Sequence, residues 1–304
     1  MPAVFWTGKL SPTWKALVNL SNLLAWLTGN ARDQTAMKKR VQKGYEGEIT
    51  DHIDSYDEVG INHYTKIAQA LLEPVDVKGK SVLDVGCGTG ILSFALLDQG
   101  AERVVGGDLS RRMLSGCQKK AQSLGVHSRT ASFQLCDAEE LPYAGNLFDL
   151  VTSSMILGMI PDQQRVISEM ARVLKPGGTL ATAAHGTNLY WEACERTFRT
   201  IPLKYILGYR VEFWPRNEAD LNRYMRRAGL AEVQTQRLVW KDTYPEGGAV
   251  FDFFASTSGA WWNAKFPPDV VDQLSSKVRA AFVEEGVREI TSDVVLAYGR
   301  KPMK

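Results

Sequence analysis

The sequence predicts an α/β fold, a mostly parallel sheet with helices on both faces, preceded by a helical segment and interrupted late by a long insertion. Three observations carry this. Between residues 76 and 186 short apolar runs alternate with segments of helical length; the first run ends in a turn holding three glycines; the next two runs each end in a carboxylate. Such alternation builds parallel strands joined by crossover helices, and parallel strands bring their carboxyl ends, with whatever follows them, to one edge of the sheet.

Residues 1–75 are expected to form a helical cap, broken at Gly29-Asn30 and Gly44. From Pro12 to Leu27 the residues Trp14, Leu17, Val18, Leu20, Leu23, Leu24, Trp26 and Leu27 recur at mostly helical spacing, which reads as an amphipathic helix. Packing against the body of the protein is its expected role, and docking at a membrane surface is the alternative. Strands are predicted over Ser81 to Val85, Arg103 to Asp108, Ser132 to Cys136, Phe148 to Ser153 and Thr179 to Ala184. Helices fall between them, over Ile91 to Gln99, Ser110 to Leu124 and Gln163 to Leu174. A third region contributes a helix over Glu218 to Ala228 and strands over Glu232 to Trp240 and Val294 to Gly299. The stretch around 241–290 between those last strands carries Phe251, Phe253, Phe254, Trp261, Trp262 and Phe266 and is expected to act as a lid.

Composition removes several classes of function. Lys and Arg number 36 against 34 for Asp and Glu, a formal net charge of +2, so no global field exists for gripping a polyanion and no nucleic-acid partner is expected. Cys87, Cys117, Cys136 and Cys194 form neither a disulfide framework nor a CxxC pair, so free thiols, no metal and a cytoplasmic setting are expected. No apolar run reaches the roughly 18 residues needed to span a bilayer.

The chemistry concentrates at the strand ends. In Val82-Leu83-Asp84-Val85-Gly86-Cys87-Gly88-Thr89-Gly90 an apolar strand meets a glycine turn that opens a helix, where missing Cβ atoms let a ligand approach backbone N–H groups. The spacing is G-x-G-x-G, not the G-x-G-x-x-G of dinucleotide sites. Asp108 ends the next strand, eighteen residues after Gly90, where a carboxylate accepts from both hydroxyls of an unphosphorylated ribose. Asp137 follows the third strand and is positioned to accept from the exocyclic amine of an adenine. Three successive strand ends thus address one nucleoside.

With these residues in hand, the chain resembles the class I S-adenosylmethionine-dependent methyltransferases, of the branch that includes the ubiquinone- and menaquinone-type enzymes. The resemblance rests on the nine residues from Val82 to Gly90, on Gly106-Gly-Asp-Leu-Ser110, Cys136-Asp-Ala-Glu-Glu-Leu-Pro142, Phe148-Asp-Leu-Val151 and Arg172-Val-Leu-Lys-Pro-Gly-Gly178. It implies a Rossmann-like seven-stranded sheet whose last strand inserts antiparallel, within a methyltransferase domain over 76–304. It also implies S-adenosylmethionine as cofactor and S-adenosylhomocysteine as product. By position, Asp84 with Gly86, Cys87, Gly88 and Gly90 would hold the methionine portion, Asp108 the ribose, Leu109 and Met113 the adenine faces, Asp137 and Ala138 the adenine edge. Ser153 and Ser154 would lie nearest the sulfonium. One departure stands out: where the branch often reads Leu-His-His-hydrophobic-Pro-Asp, this chain reads Leu157-Gly158-Met159-Ile160-Pro161-Asp162.

The acceptor is expected to be a small, hydrophobic or aromatic molecule methylated on O, N, S or C. His185, following the Thr179 to Ala184 strand, is the candidate base, and Tyr56 and Tyr64 are candidates for contact at the methionine end. Tyr190, Tyr205, Tyr209, Phe213 and Trp214 join the lid aromatics, for which core packing of the lid is the default reading and pocket walls the alternative, with Arg196 and Arg199 among them. Two alternatives stay open at this point, an RNA or protein methyltransferase and a non-catalytic nucleoside-binding protein.

Overall fold

The computed structural model describes residues 8–28, 34–46, 53–203, 207, 217–265 and 268–303, without the side chains of 34–37, 40, 53–61, 258–265 and 268–270. Tyr205, Tyr209, Phe213, Trp214 and Phe266, and the side chains of Tyr56, Trp261 and Trp262, lie outside the described residues.

Chain contacts group into two compact units, one of Ile53–Ala184, Arg216–Arg237 and Val295–Lys304, the other of Met1–His52, His185–Pro215 and Leu238–Val294. Seven strands form one sheet: β1 (Ser81–Val85), β2 (Arg103–Asp108), β3 (Ala131–Leu135), β4 (Phe148–Ser154), β5 (Leu174–His185), β6 (Ala231–Thr243) and β7 (Glu289–Arg300). Their order across the sheet is β3-β2-β1-β4-β5-β7-β6. The first five run parallel, with Val85 level with Gly107 on one side and Ser153 on the other, and Asp108 level with Leu135. The last strand inserts antiparallel, as expected: Gly177 N–H donates to Lys301 O at one end of the β5–β7 pair and Gly186 N–H to Asp293 O at the other.

In the first unit the helices are α3 (Ile53–Leu72), α4 (Ile91–Asp98), α5 (Arg111–Ser123), α6 (Gln163–Val173) and α8 (Glu218–Arg227). Central strands are buried along their length, Val82 to Val85 in β1 and Ile290 to Ala297 in β7, because helices cover both faces. The edge strand β6 alternates exposed and half-buried residues, with Glu232 and Lys241 on its open side. The core between β1, β4, β5 and the helices is built from Leu83, Val151, Leu157, Ile167, Met170 and Leu180.

The expected span of the fifth strand falls short. Lys175-Pro-Gly-Gly178 reads locally as a turn, yet it lies inside β5, because Lys301 in the chain's last stretch supplies ladder partners to Gly177 and Gly178. The Lys301 ammonium caps the end of α6, donating to the carbonyls of Ala171, Arg172 and Leu174.

The second unit holds α1 (Pro12–Leu27), α2 (Gln34–Glu46), α7 (Trp191–Thr200), α9 (Gly247–Lys265) and α10 (Pro268–Glu284). Its interior is aromatic. Tyr190 meets Phe253 edge-on with ring centroids 5.5 Å apart, and Phe282 packs against Phe251 and Phe254. Arg196 and Arg199 both pair with Glu285, at 2.9 and 2.6 Å.

Candidate active site

The glycine turn hangs from the end of β2. Gly86 and Cys87 N–H both donate to Gly107 O, at 2.7 and 3.1 Å, and Gly88 N–H donates to the Asp108 carboxylate at 2.9 Å. The other oxygen of Asp108 accepts from Ser110 N–H at 2.9 Å, and Ser110 caps α5 by accepting from Met113 N–H at 3.2 Å. One carboxylate therefore ties the turn after β1 to the helix after β2. The turn needs its glycines for different reasons. At Gly86, with φ of +71°, a Cβ would collide with the Ile156 side chain; at Gly88, with φ of +54°, a Cβ would meet nothing within 4 Å. Gly88 thus faces open space, the cradle that the backbone approach of a ligand requires.

Asp84 lies under the turn, 1% exposed, accepting from Ser93 Oγ at 2.6 Å and Thr152 Oγ1 at 3.2 Å. Burial pushes its carboxyl up to about 6, against which the two hydroxyls work. A buried acid whose donors are neutral hydroxyls suits a cationic group such as the ammonium of a methionine moiety. Ser93 and Thr152 were not picked out from sequence; Ser93 sits one α4 turn beyond Gly90, and that spacing was the available signal.

Cys87 and Cys117 pack together beneath the turn with Leu114, and the Cys117 thiol donates to Gly88 O at 3.0 Å. The Cys117 contact, then burial, push the Cys87 thiol well above its usual range, so it is a packed thiol and not a nucleophile.

Beyond β3, Asp137 folds back on itself, accepting from Glu139 N–H at 2.9 Å, and remains half-buried with Ala138. Two residues given no role in the sequence reading hold this loop. Glu139, 7% exposed, accepts from Asp162 N–H at 2.8 Å, and Glu169 accepts from Leu141 N–H at 3.0 Å. The Arg172 guanidinium joins Glu169 to the carbonyls of Leu141 and Tyr143, and holds the Glu169 carboxyl below its ordinary range. That explains the arginine of the Arg172 to Gly178 motif.

After β4 the chain kinks at Met155, with φ of +60°. Ser153 is fully buried with its hydroxyl 2.7 Å from Thr182 Oγ1, while Ser154 is half-buried at the strand end. Ile156 lies against Gly86, and Leu157–Met159 form a 3-10 turn. Asp84, the turn, Asp108, Leu109, Met113, Asp137, Ala138 and Ser154 therefore gather along the carboxyl ends of β3, β2, β1 and β4.

The candidates for acceptor chemistry are spread more widely. Tyr64 is half-buried on α3, edge-on to His63, and α3 packs against α4. Tyr56 belongs to the same helix. His185, 6% exposed, ends β5 and groups with the second unit. Among the described residues no group of three metal-ligating side chains occurs.

Residues 83–182 match a family model described as a methyltransferase domain. Methyltransferase GfsG of Streptomyces halstedii is 40% identical over 119 residues, 39% of this chain and 42% of that protein. The ubiquinone biosynthesis O-methyltransferase of Coxiella burnetii is 32% identical over 162 residues, 53% of this chain and 63% of its own length. The chain thus spans less than two thirds of either. The demethylmenaquinone methyltransferase of Bacillus cereus is matched more fully, 30% identical over 224 residues, 67% of this chain and 92% of that protein. Among solved structures, the YcgJ protein of Bacillus subtilis aligns over 80% of this chain and 100% of its own at 19% identity with a TM-score of 0.55. A chain of the Haloferax volcanii complex between the Trm112 activator and a methyltransferase aligns over 87% and 98% at 22% identity with a TM-score of 0.54. At such identity the two structures speak for a shared fold.

Proposed function

The chain belongs to the class I S-adenosylmethionine-dependent methyltransferases, and from that premise we propose that it methylates an O, N, S or C atom of a small, hydrophobic or aromatic molecule. The observation that carries the reading is the double role of Asp108, whose carboxylate reaches both Gly88 and Ser110 at the end of β2. Asp84 with the backbone of Gly86, Cys87, Gly88 and Gly90 would hold the methionine portion, Asp108 the ribose, Leu109 and Met113 the adenine faces, and Asp137 with Ala138 its edge. Ser153 and Ser154 would lie nearest the sulfonium. S-adenosylmethionine supplies an electrophilic methyl group on a sulfonium and leaves as S-adenosylhomocysteine.

The protein's own task is then to position and to manage a proton. Asp84, ionised, neutralises the ligand's ammonium inside a dry site. Phe94 and Ile156 keep the turn fixed, so that binding costs little reorganisation. Where the acceptor carries a proton, the His185 imidazole takes it, with Tyr64 contacting the methionine end. Gly158 and Met159 stand where the branch often has histidines, so no base is assigned there. We place the protein in the cytoplasm with no nucleic-acid partner; among the described residues no helix is long and apolar enough to cross a membrane.

Titration calorimetry with S-adenosylmethionine on the native chain and on Asp108→Ala tests the site, and undiminished binding by the variant overturns it. Transfer of isotopically labelled methyl from S-adenosylmethionine to lysate fractions, with mass-spectrometric identification of the product, tests the acceptor class.

A further inference from the structure

Helix α1 is built inside out. Its buried face carries Val18, Ser21, Asn22 and Ala25, each at most 2% exposed, so two of the four positions committed to the protein are polar. On the opposite side, at the i, i+3, i+4, i+7 spacing of a single helical face, stand Leu20, Leu23, Leu24 and Leu27. Leu20 is 45% and Leu27 58% exposed, with Leu23 and Leu24 half-buried between them. Folding alone would place leucines inward and the serine and asparagine outward. The reversed order is what a helix adopts when its outer face has an apolar partner of its own.

The charge of the same N-terminal stretch identifies that partner. Residues 1–46 hold seven Lys or Arg against two acids, an excess of five in a chain whose total is +2, so the rest of the chain is net acidic. Within α2, which packs against α9, Lys39 and Lys43 lie one turn apart and exposed. An apolar stripe on α1 and the exposed Lys39 and Lys43 of α2 match the two parts of an anionic bilayer surface, acyl boundary and phosphate headgroup. A second copy of the chain would satisfy the leucines but would bring like charges together. At 16 residues, α1 is too short to span and long enough to lie in the interface.

We propose that α1 and α2 form a peripheral docking surface for anionic lipid, with the Leu20, Leu23, Leu24 and Leu27 stripe seated at the acyl boundary and Lys39 and Lys43 on the headgroups. This stands independently of the methyl-transfer reading.

Sedimentation of the full chain with phosphatidylcholine vesicles, with and without phosphatidylglycerol, tests it. The native chain should pellet with the anionic vesicles, leave the neutral ones and dissociate as salt is raised. Lys39→Gln with Lys43→Gln should weaken partitioning about fivefold per lysine. Leu20→Glu with Leu27→Glu should lose it by more than about tenfold, with circular dichroism and S-adenosylmethionine affinity unchanged. Equal partitioning by either double variant and the native chain overturns the proposal, as does failure of the native chain to bind anionic vesicles. A dimer in solution that the leucine variant dissociates, without vesicle binding by the native chain, assigns the stripe to a second copy instead. S-adenosylmethionine affinity, measured on the same samples, reports on the methyltransferase reading separately.

Discussion

The Asp108 carboxylate accepts the backbone N–H of Gly88 across 2.9 Å, joining residues twenty apart in sequence at the ends of two neighbouring strands. Asp108→Ala should therefore do two things at once. It should weaken S-adenosylmethionine binding about 100-fold and lower the melting temperature, since a charge-assisted hydrogen bond contributes about 1.5–3 kcal/mol. Asp108→Asn keeps one acceptor oxygen and should recover stability more than affinity. Calorimetry beside thermal melts separates the two.

Asp84 sets a pH dependence. Its carboxyl is raised in the folded state from 3.8 to about 6, so the folded chain holds a proton that the unfolded chain releases. The stabilising contribution is complete below about pH 4 and is lost as pH rises through about 6, a change of about 3 kcal/mol. Asp84→Asn should raise the melting temperature at pH 8 relative to the native chain and flatten that part of the profile. Ligand affinity should run the other way in the native chain, falling below pH 6, with one proton released on binding there, readable by calorimetry in two buffers of different ionisation heat.

The two glycines should fail differently. Gly86→Ala drives a Cβ into Ile156 and should destabilise the fold by about 2–4 kcal/mol. Gly88→Ala has room, so its stability cost is the left-handed backbone alone, about 1 kcal/mol, while its methyl enters the open cradle. Chemical denaturation should separate the pair in one direction and S-adenosylmethionine titration in the other.

Arg172→Ala leaves Glu169 without its cation, takes the guanidinium donor from Tyr143 O, and leaves Leu141 O with the Tyr143 N–H. A loss of about 1–2 kcal/mol at neutral pH is expected, together with weaker cofactor binding through a looser Asp137 loop. Glu169→Gln should reproduce most of it. A variant with native affinity would show that the clamp does not position Asp137.

His185→Gln should lower kcat/KM by about 10²–10⁴ for an acceptor that carries a proton, with S-adenosylmethionine affinity within about twofold of native. Unchanged turnover across the pH range would remove His185 from the chemistry.

Most of the parallel sheet was readable because its signals are local. Val82 to Gly90 contains a strand, a turn and a helix start within nine residues, and the predicted bounds of β1 and β2 match those observed. The strand over Lys175 to Gly178 was not readable, since its partner Lys301 is more than a hundred residues away. Asp84, Asp108 and Asp137 were found as carboxylates at strand ends. The groups that hold them, Ser93, Thr152 and the Glu169–Arg172 pair, are ordinary residues in ordinary patterns and acquire meaning through tertiary contact alone. Tyr190, Phe251 and Phe254 are buried beside Phe253 and Phe282, the core packing that was their default reading; composition alone does not say which side of a ring faces out.

The place of β7 between β5 and β6 bears on how the chain is made. On the ribosome, β5 and β6 are both synthesised before the strand that joins them, so the nascent chain carries β5 with an open edge and β6 without a neighbour until β7 emerges. An unpaired apolar edge of that kind recruits other chains. Slowed translation ahead of residue 289 should therefore raise aggregation of the newborn protein without altering the stability of molecules that finish folding.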